Sequence, residues 1–558
     1  MMFGEKQSLF DLYMEKYDGV CPRASNSATV REQMLPAGDG ARLRTVIITP
    51  ADVPGPYPTI VQRSCYYEPD PCRLRIQGEA LARHGFALVY QWCRGIGGSE
   101  GQWEPNIHDR ADGISLVNWL QDQQWVLNMG YVGASYLAMT GWIMADIVPE
   151  KMKTMYLTVY GTERHTSAWR EGLFRQDILT AWAMGNAGFP VTADYMTSAA
   201  YRPQVEVDEK LWGGRLNWYR DWITHPSRID PYWAEGHWET LRSVPSKLKI
   251  PVFVGEGWYD HHLGSMLQGY EKLSAEAMAH SVFQINPGNH GLQPVIHGHK
   301  KQDHAAIDEI TQQIRWFYDI LVKDQLPDRA VQYYVIGADE WRNYRDYPPK
   351  THHEAVFYLN GHALSAETAA ECSRGYVYDP QNPVITFGAE SLFSSRENTG
   401  SQEQPAPDWR EDVLSFVSEP LEKPLDVVGS IQAKLWVQSD APDTCFTVKV
   451  MEVFPDGRAW HIRNGITTLG WRNGAVEYQD YDGNPVEITV ACWDIAWQLQ
   501  PGSRLRVDIS SSNFPEFSVH PNTTQLWSVA SETRTARQTV LMGKEYPSRL
   551  ILPLDQVF

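Results

Sequence analysis

No apolar run in this 558-residue chain approaches the ~18 residues that a membrane-spanning helix needs, so no helical membrane insertion is expected. Cysteine is scarce and scattered. The seven residues Cys21, Cys65, Cys72, Cys93, Cys372, Cys445 and Cys492 form an odd set without CxxC pairs, which speaks against a disulfide framework and for reduced thiols. Basic charge is in deficit too: 49 Lys and Arg stand against 68 Asp and Glu, a net charge of −19, and a nucleic-acid partner is not expected. The opening residues 1–8 show no apolar core behind a basic region, so no secretory signal is read and a cytoplasmic location is expected. There are no repeats, and the one polar tract, residues 394–405, reads as a surface loop. Aromatics, in contrast, are plentiful, with 22 Trp and 27 Tyr. The length exceeds the ~250–300 residues at which a single core stops growing, so two or three domains are expected.

The most informative local pattern is Gly133-Ala134-Ser135-Tyr136, behind Met129-Gly130-Tyr131-Val132 and ahead of the helix-prone run from Leu137 to Trp142. An extended segment that turns abruptly at a serine into a helix is a nucleophile elbow, which lifts the hydroxyl above a sheet. Serine alone is too weak a nucleophile at neutral pH; it needs a base and a group to orient that base. In the α/β-hydrolase order the acid and then the histidine follow the serine, each at the end of a later strand. Asp260 closes the apolar segment from Ile250 through Gly257-Trp258-Tyr259, and His290 closes the similar segment from Ser281 through Pro287-Gly288-Asn289. Their separation suits one βαβ unit of ~30 residues.

The hydrophobic period divides the chain. Apolar strands at Val46–Ile48, Thr59–Val61 and Ala87–Tyr90 alternate with helical patterns such as Gly113–Leu120, which predicts a mostly parallel sheet covered on both faces. This pattern resumes at Pro251 and runs through the helix near Ile310–Phe317 and the strand Val331–Val335. Between the two pieces strand signals fade and tryptophans accumulate, which predicts a helical cap over the strand C-termini, where open α/β sheets bind ligands. From about Ala355 the period becomes two, with turns at Asp456-Gly457 and Asp482-Gly483, and predicts an all-β sandwich. The expected division is a catalytic α/β domain in residues 1–150 and 246–350, a cap in 151–245 and the sandwich in 351–558.

Taken together, Gly133-x-Ser135-Tyr136, Gly257-Trp258-Tyr259-Asp260 and Pro287-Gly288-Asn289-His290 resemble the cocaine esterase family, the CocE/NonD or X-prolyl dipeptidyl peptidase-like (S15) serine hydrolases. Arg94-Gly95-Ile96-Gly97-Gly98-Ser99-Glu100-Gly101, Ile336-Gly337-Ala338-Asp339-Glu340-Trp341 and Ser510-Ser511-Ser512-Asn513-Phe514-Pro515 extend the match in order along the chain. The resemblance implies an α/β-hydrolase domain with an inserted helical cap and a C-terminal jelly roll. It implies Ser135, His290 and Asp260 as catalytic residues, and an oxyanion hole formed by the Tyr136 N–H and the hydroxyl of Tyr66, which has the Arg-x-x-Tyr spacing from Arg63. Tyr67 is the alternative in register. Trp169 falls in the segment that faces the serine in relatives and is the cap residue expected at the acyl pocket; the other cap tryptophans are expected mainly as packing.

Three positions depart from the family pattern. Ala138 replaces the usual glycine three residues after the nucleophile, and Trp92 replaces an aspartate two residues before Arg94. Relatives that act on α-amino acid esters carry carboxylates two and three residues after the triad aspartate, where this chain has His262 and Leu263. A substrate ammonium therefore lacks an anchor, and a neutral or differently charged acyl group is expected. His261 and His262 either read the substrate or support the loop. His297, His299 and His304 lack the spacing of a zinc site, and Arg94–Gly98 lacks the Lys-Ser/Thr of a P-loop, so no metal or organic cofactor is expected. The expected activity is hydrolysis of a small or medium carboxylic ester, with an acyltransferase or amidase on the same acyl-enzyme as alternative and a non-catalytic binding scaffold as the more distant one. The expected partner is a small-molecule ester or amide, and the resemblance also allows a homodimer.

Overall fold

The computed structural model describes residues 8–67, 72–298, 305–347, 349, 352–390 and 398–555. His299, His304 and residues 394–397 of the polar tract lie outside them.

Strands β1 (Ala28–Pro36), β2 (Arg42–Pro50), β3 (Tyr57–Ser64), β4 (Ala87–Trp92), β5 (Val126–Ala134) and β6 (Met152–Thr158) form the first part of a central sheet. After a short hairpin, β7 (Trp169–Arg170) and β8 (Leu173–Phe174), the sheet continues with β9 (Val252–Gly257), β10 (Val282–Asn286), β11 (Ala330–Val335) and β12 (Glu340–Tyr344). Among the described residues its order is β1-β2-β4-β3-β5-β6-β9-β10-β11-β12. Every pair from β4 to β11 is parallel, while β1, β2 and β12 pair antiparallel at the two sides. Helices cover both faces, and the central strands are therefore buried throughout, as in β4 and β9.

Residues 152–158, placed in the cap by the sequence division, are β6 of this sheet. The segment Met-Lys-Thr-Met-Tyr-Leu-Thr, buried except at Lys153, pairs in parallel with β5 and β9, so the insertion begins only after Thr158. It consists of short helices, among them Arg164–Ala168, Gln176–Gly185 and Asn217–Thr224, together with the β7–β8 hairpin. The C-terminal part is mostly β, with strands from His352–Asn360 to Arg549–Asp555 in a twelve-stranded arrangement among the described residues. At Asp456-Gly457 and Asp482-Gly483 both glycines take positive φ, 89° and 85°, a conformation that carries no Cβ penalty in a tight turn.

The Trp92 departure is accommodated by packing. Its indole lies against Gly97, where an added Cβ would meet the ring at 2.5 Å, and beneath the Arg44 guanidinium at 4.7 Å. Arg94 pairs instead with Asp39 and Asp112, both at 2.7 Å. The glycines of Arg94–Gly101 serve this tight turn: Gly95, Gly97, Gly98 and Gly101 all have positive φ. The six described cysteines whose side chains are placed are unpaired. No helix among the described residues is long and apolar enough to cross a membrane.

Candidate active site

Ser135 follows β5 directly and takes φ 57°, ψ −130°, a strained conformation for a side chain with a Cβ. Close packing enforces it: a Cβ at Gly133 would lie 2.2 Å from the Leu137 carbonyl oxygen, so the chain can double back into the helix Tyr136–Trp142 only past a glycine. Ala138, at the other small position of the turn, is fully buried, and its N–H donates to the Ser135 carbonyl at 2.8 Å.

Asp260 and His290 follow β9 and β10, so all three side chains meet above the C-terminal edge of one sheet. His290 Nδ1 lies 2.6 Å from Asp260 Oδ2 and its Nε2 lies 2.8 Å from Ser135 Oγ. A carboxylate only accepts, so Nδ1–H donates to Asp260 and Nε2 is left to accept the serine proton. Asp260 is fully buried, and its second oxygen accepts the His262 backbone N–H at 2.6 Å. Glu256, four residues upstream in β9, is fully buried, and its carboxyl is held well above the ordinary carboxylate range by that burial and then by the nearby Asp260.

Tyr66 follows β3, the neighbour of β5, and its hydroxyl interacts with the Ser135 side chain. Burial raises its pKa, so it remains a proton donor, and the Trp182 indole N–H donates to the same oxygen at 3.3 Å. The Tyr136 N–H is the first of its helix and has no partner four residues back in that helix. The Tyr136 ring is held elsewhere, its hydroxyl donating to Asp109 at 2.7 Å and accepting from Asn106 N–H at 2.7 Å.

His261 and His262 both border the cavity above Ser135. Their pKa values lie well below the ordinary histidine value, first because they are buried and then because of cationic neighbours, so both are neutral. His262 Nδ1 meets Ser167 Oγ at 2.8 Å, and the His261 ring packs 4.8 Å from that of His290. Asp260, His261 and His290 present donor atoms within 4.8 Å of one another, but the closest of these contacts is the Asp260–His290 hydrogen bond. His297 is exposed in a turn.

Trp169, expected at the acyl pocket, and Tyr67, the alternative in register to Tyr66, stand elsewhere. Trp169 is buried in the β7–β8 hairpin, packed on Phe174, and its indole N–H donates to the Trp222 carbonyl at 2.9 Å. It therefore buttresses Trp222, which does border the cavity. Tyr67 is 64% exposed; where the chain leaves β3, one tyrosine turns toward the serine and the next toward solvent. The cavity measures about 630 Å³ and is bordered by Tyr160, Ile178, Leu179, Trp182, Trp222 and polar residues such as Asn186. Trp182 and Trp222 had the sequence appearance of cap packing. Arg164, which also borders the cavity, carried no motif; its only signal was a cation soon after β6, on the ligand-facing side of the sheet.

A doubly covered parallel sheet with a serine elbow and a hydrogen-bonded histidine and acid defines an α/β-hydrolase. Residues 39–292 match the X-Pro dipeptidyl-peptidase (S15 family) model, and residues 324–551 match the X-Pro dipeptidyl-peptidase C-terminal non-catalytic domain. The cocaine esterase of Rhodococcus sp. (strain MB1 Bresler) is 28% identical over 575 residues, covering 95% of this chain and 99% of that protein. An aminopeptidase from a marine sediment Thaumarchaeota archaeon superposes with a TM-score of 0.79 at 20% identity, over 100% and 99% of the two chains. An α-amino acid ester hydrolase superposes with a TM-score of 0.78 at 21% identity, over 96% and 98%. The chain carries an S15-family domain followed by an X-Pro dipeptidyl-peptidase C-terminal domain, and it is a serine-type ester hydrolase.

Proposed function

We propose that the protein cleaves a small or medium carboxylic ester through an acyl-enzyme on Ser135. The observation that carries this reading is the continuous hydrogen-bonded line Ser135–His290–Asp260, opening into a cavity of about 630 Å³. His290 Nε2 takes the hydroxyl proton as Ser135 Oγ attacks the carbonyl, and the buried Asp260 carboxylate holds the tautomer and stabilises the imidazolium. The Tyr66 hydroxyl and the Tyr136 N–H receive the oxyanion. The imidazolium then protonates the departing alcohol, and a water activated by His290 releases the acid. These steps use no group beyond the chain and water. His262 and Leu263 supply no negative charge where an ammonium would need one, so α-amino acid esters are disfavoured.

The test is intact mass after a fluorophosphonate, on wild type and Ser135→Ala, with p-nitrophenyl ester turnover on the same samples. The expected result is one adduct and turnover in wild type and neither in the variant. A folded wild type that takes no adduct would sink the activated-serine reading. An adduct without turnover of any ester would replace hydrolysis by transfer to another acceptor or by amide cleavage.

A further inference from the structure

Burying a guanidinium is costly unless it is paired, and the deeply buried Arg63, Arg175, Arg463 and Arg506 each have a carboxylate or carbonyl partner for part of the guanidinium. Arg63 donates to the Asp109 carbonyl, Arg175 and Arg463 pair with Glu390, and Arg506 pairs with Asp508. Arg164 does not. It is only 7% exposed, its Nε is shut from solvent without a hydrogen-bond partner, and among the described residues its guanidinium has no ion pair. It is held by ring faces alone, 4.9 Å from the Trp222 centroid and 5.9 Å from that of Tyr160, and both rings border the catalytic cavity with it. Those aromatic faces offset part of the desolvation and leave the planar N–H fork unused.

The rest of the lining points the same way. No aspartate or glutamate is among the residues described around the cavity, although the whole chain carries a net charge of −19. His261 and His262 are neutral, which leaves Arg164 as the permanent charge of the wall. We propose that Arg164 is the receptor for a carboxylate carried by the substrate at a distance from the scissile carbonyl, so that the ester is a monoanion; this rests on the ester-hydrolase reading above. A carboxylate matches the guanidinium in charge and accepts two parallel N–H bonds, which a neutral ester chain cannot do. The same site repels an ammonium.

The test compares kcat/KM for esters that differ only in one carboxylate. p-Nitrophenyl hydrogen adipate against its methyl-capped diester places the charge in the acyl half; para-acetoxybenzoate against its methyl ester places it in the alcohol half. Wild type is expected to favour the anion about tenfold or more in one of the two pairs, which also tells which half Arg164 receives. Arg164→Gln is expected to bring that ratio to near one, and Arg164→Lys to keep part of it. Fluorophosphonate labelling of Ser135 reports that each variant is folded at the site. Equal use of charged and capped esters in both pairs by wild type, a measurement independent of any variant, overturns the carboxylate site, as does a ratio that Arg164→Gln leaves unchanged. Turnover of the capped esters by wild type reports on ester hydrolysis separately, so the carboxylate site can fail while that activity stands.

Discussion

Tyr66 and Tyr67 are adjacent in sequence and opposite in environment, one a neutral hydroxyl beside Ser135 and the other exposed. The difference is whether the side chain leaves β3 toward β5 or away from it. Removing the inner hydroxyl alone, in Tyr66→Phe, is expected to lower kcat by roughly 10²–10³ with little change in KM, because the lost bond forms to developing charge. Steady-state kinetics with a p-nitrophenyl ester checks this, and an equal rise in KM instead would assign Tyr66 to ground-state binding. The triad was legible because each member closes a recognisable apolar strand. Arg164, Trp182 and Trp222 were not, since an arginine or a tryptophan in a helical insertion has the same sequence appearance whether it faces a cavity or the core.

The turn from β5 into the helix Tyr136–Trp142 depends on a backbone approach that only glycine allows at position 133. Gly133→Ala is expected to cost about 1–3 kcal/mol or more, since the obstructing atom is the Leu137 carbonyl and not a flexible side-chain end. A lowered thermal midpoint together with slowed fluorophosphonate labelling checks this; normal labelling would show that the elbow can relax. At the same scale, β6 escaped the sequence division because residues 152–158 follow a nucleophile helix and precede a tryptophan-rich segment. Its pairing with β5 and β9, invisible in any local window, makes it part of the sheet.

Across the whole molecule, the β domain helps to shape the catalytic cavity. Glu390 bridges Arg175 at 2.7 Å and Arg463 at 2.6 Å. Arg175 immediately precedes the helix Gln176–Gly185, whose Ile178, Leu179 and Trp182 border the cavity, and Arg463 donates to the Trp258 carbonyl in the loop that carries Asp260. Burial works against ionisation of Glu390, but the arginines prevail and hold its carboxyl below the ordinary value. Glu390→Ala removes the carboxylate that two buried cations share and is expected to cost about 3–5 kcal/mol, read by denaturant unfolding, with a fall in kcat as the acid loop loosens. Glu516, near Arg175 at 3.7 Å, is pushed up to about 8 by burial and then by Glu390. The folded state thus keeps a proton that the unfolded chain releases near its ordinary 4.5, and stability declines as pH rises from there toward 8. Glu516→Gln removes this contribution: its thermal midpoint is expected to gain on wild type progressively between those pH values and to show no such gain at pH 4. A constant difference across that range would mean that Glu516 is ionised in the fold.

The sequence by itself determined the family, the alternation that builds the sheet and the three strand ends that carry Ser135, Asp260 and His290. These are local signals, a period or a short motif, and a linear chain displays them. Only the tertiary structure decided which aromatics border the cavity, which of two neighbouring tyrosines points inward, that Trp169 supports the wall from behind and that Arg164 stands in it without an ion pair among the described residues. Burial and pairing are properties of what distant segments bring to one point, and they come into being only when the insertion, the sheet and the β domain close around the same cavity.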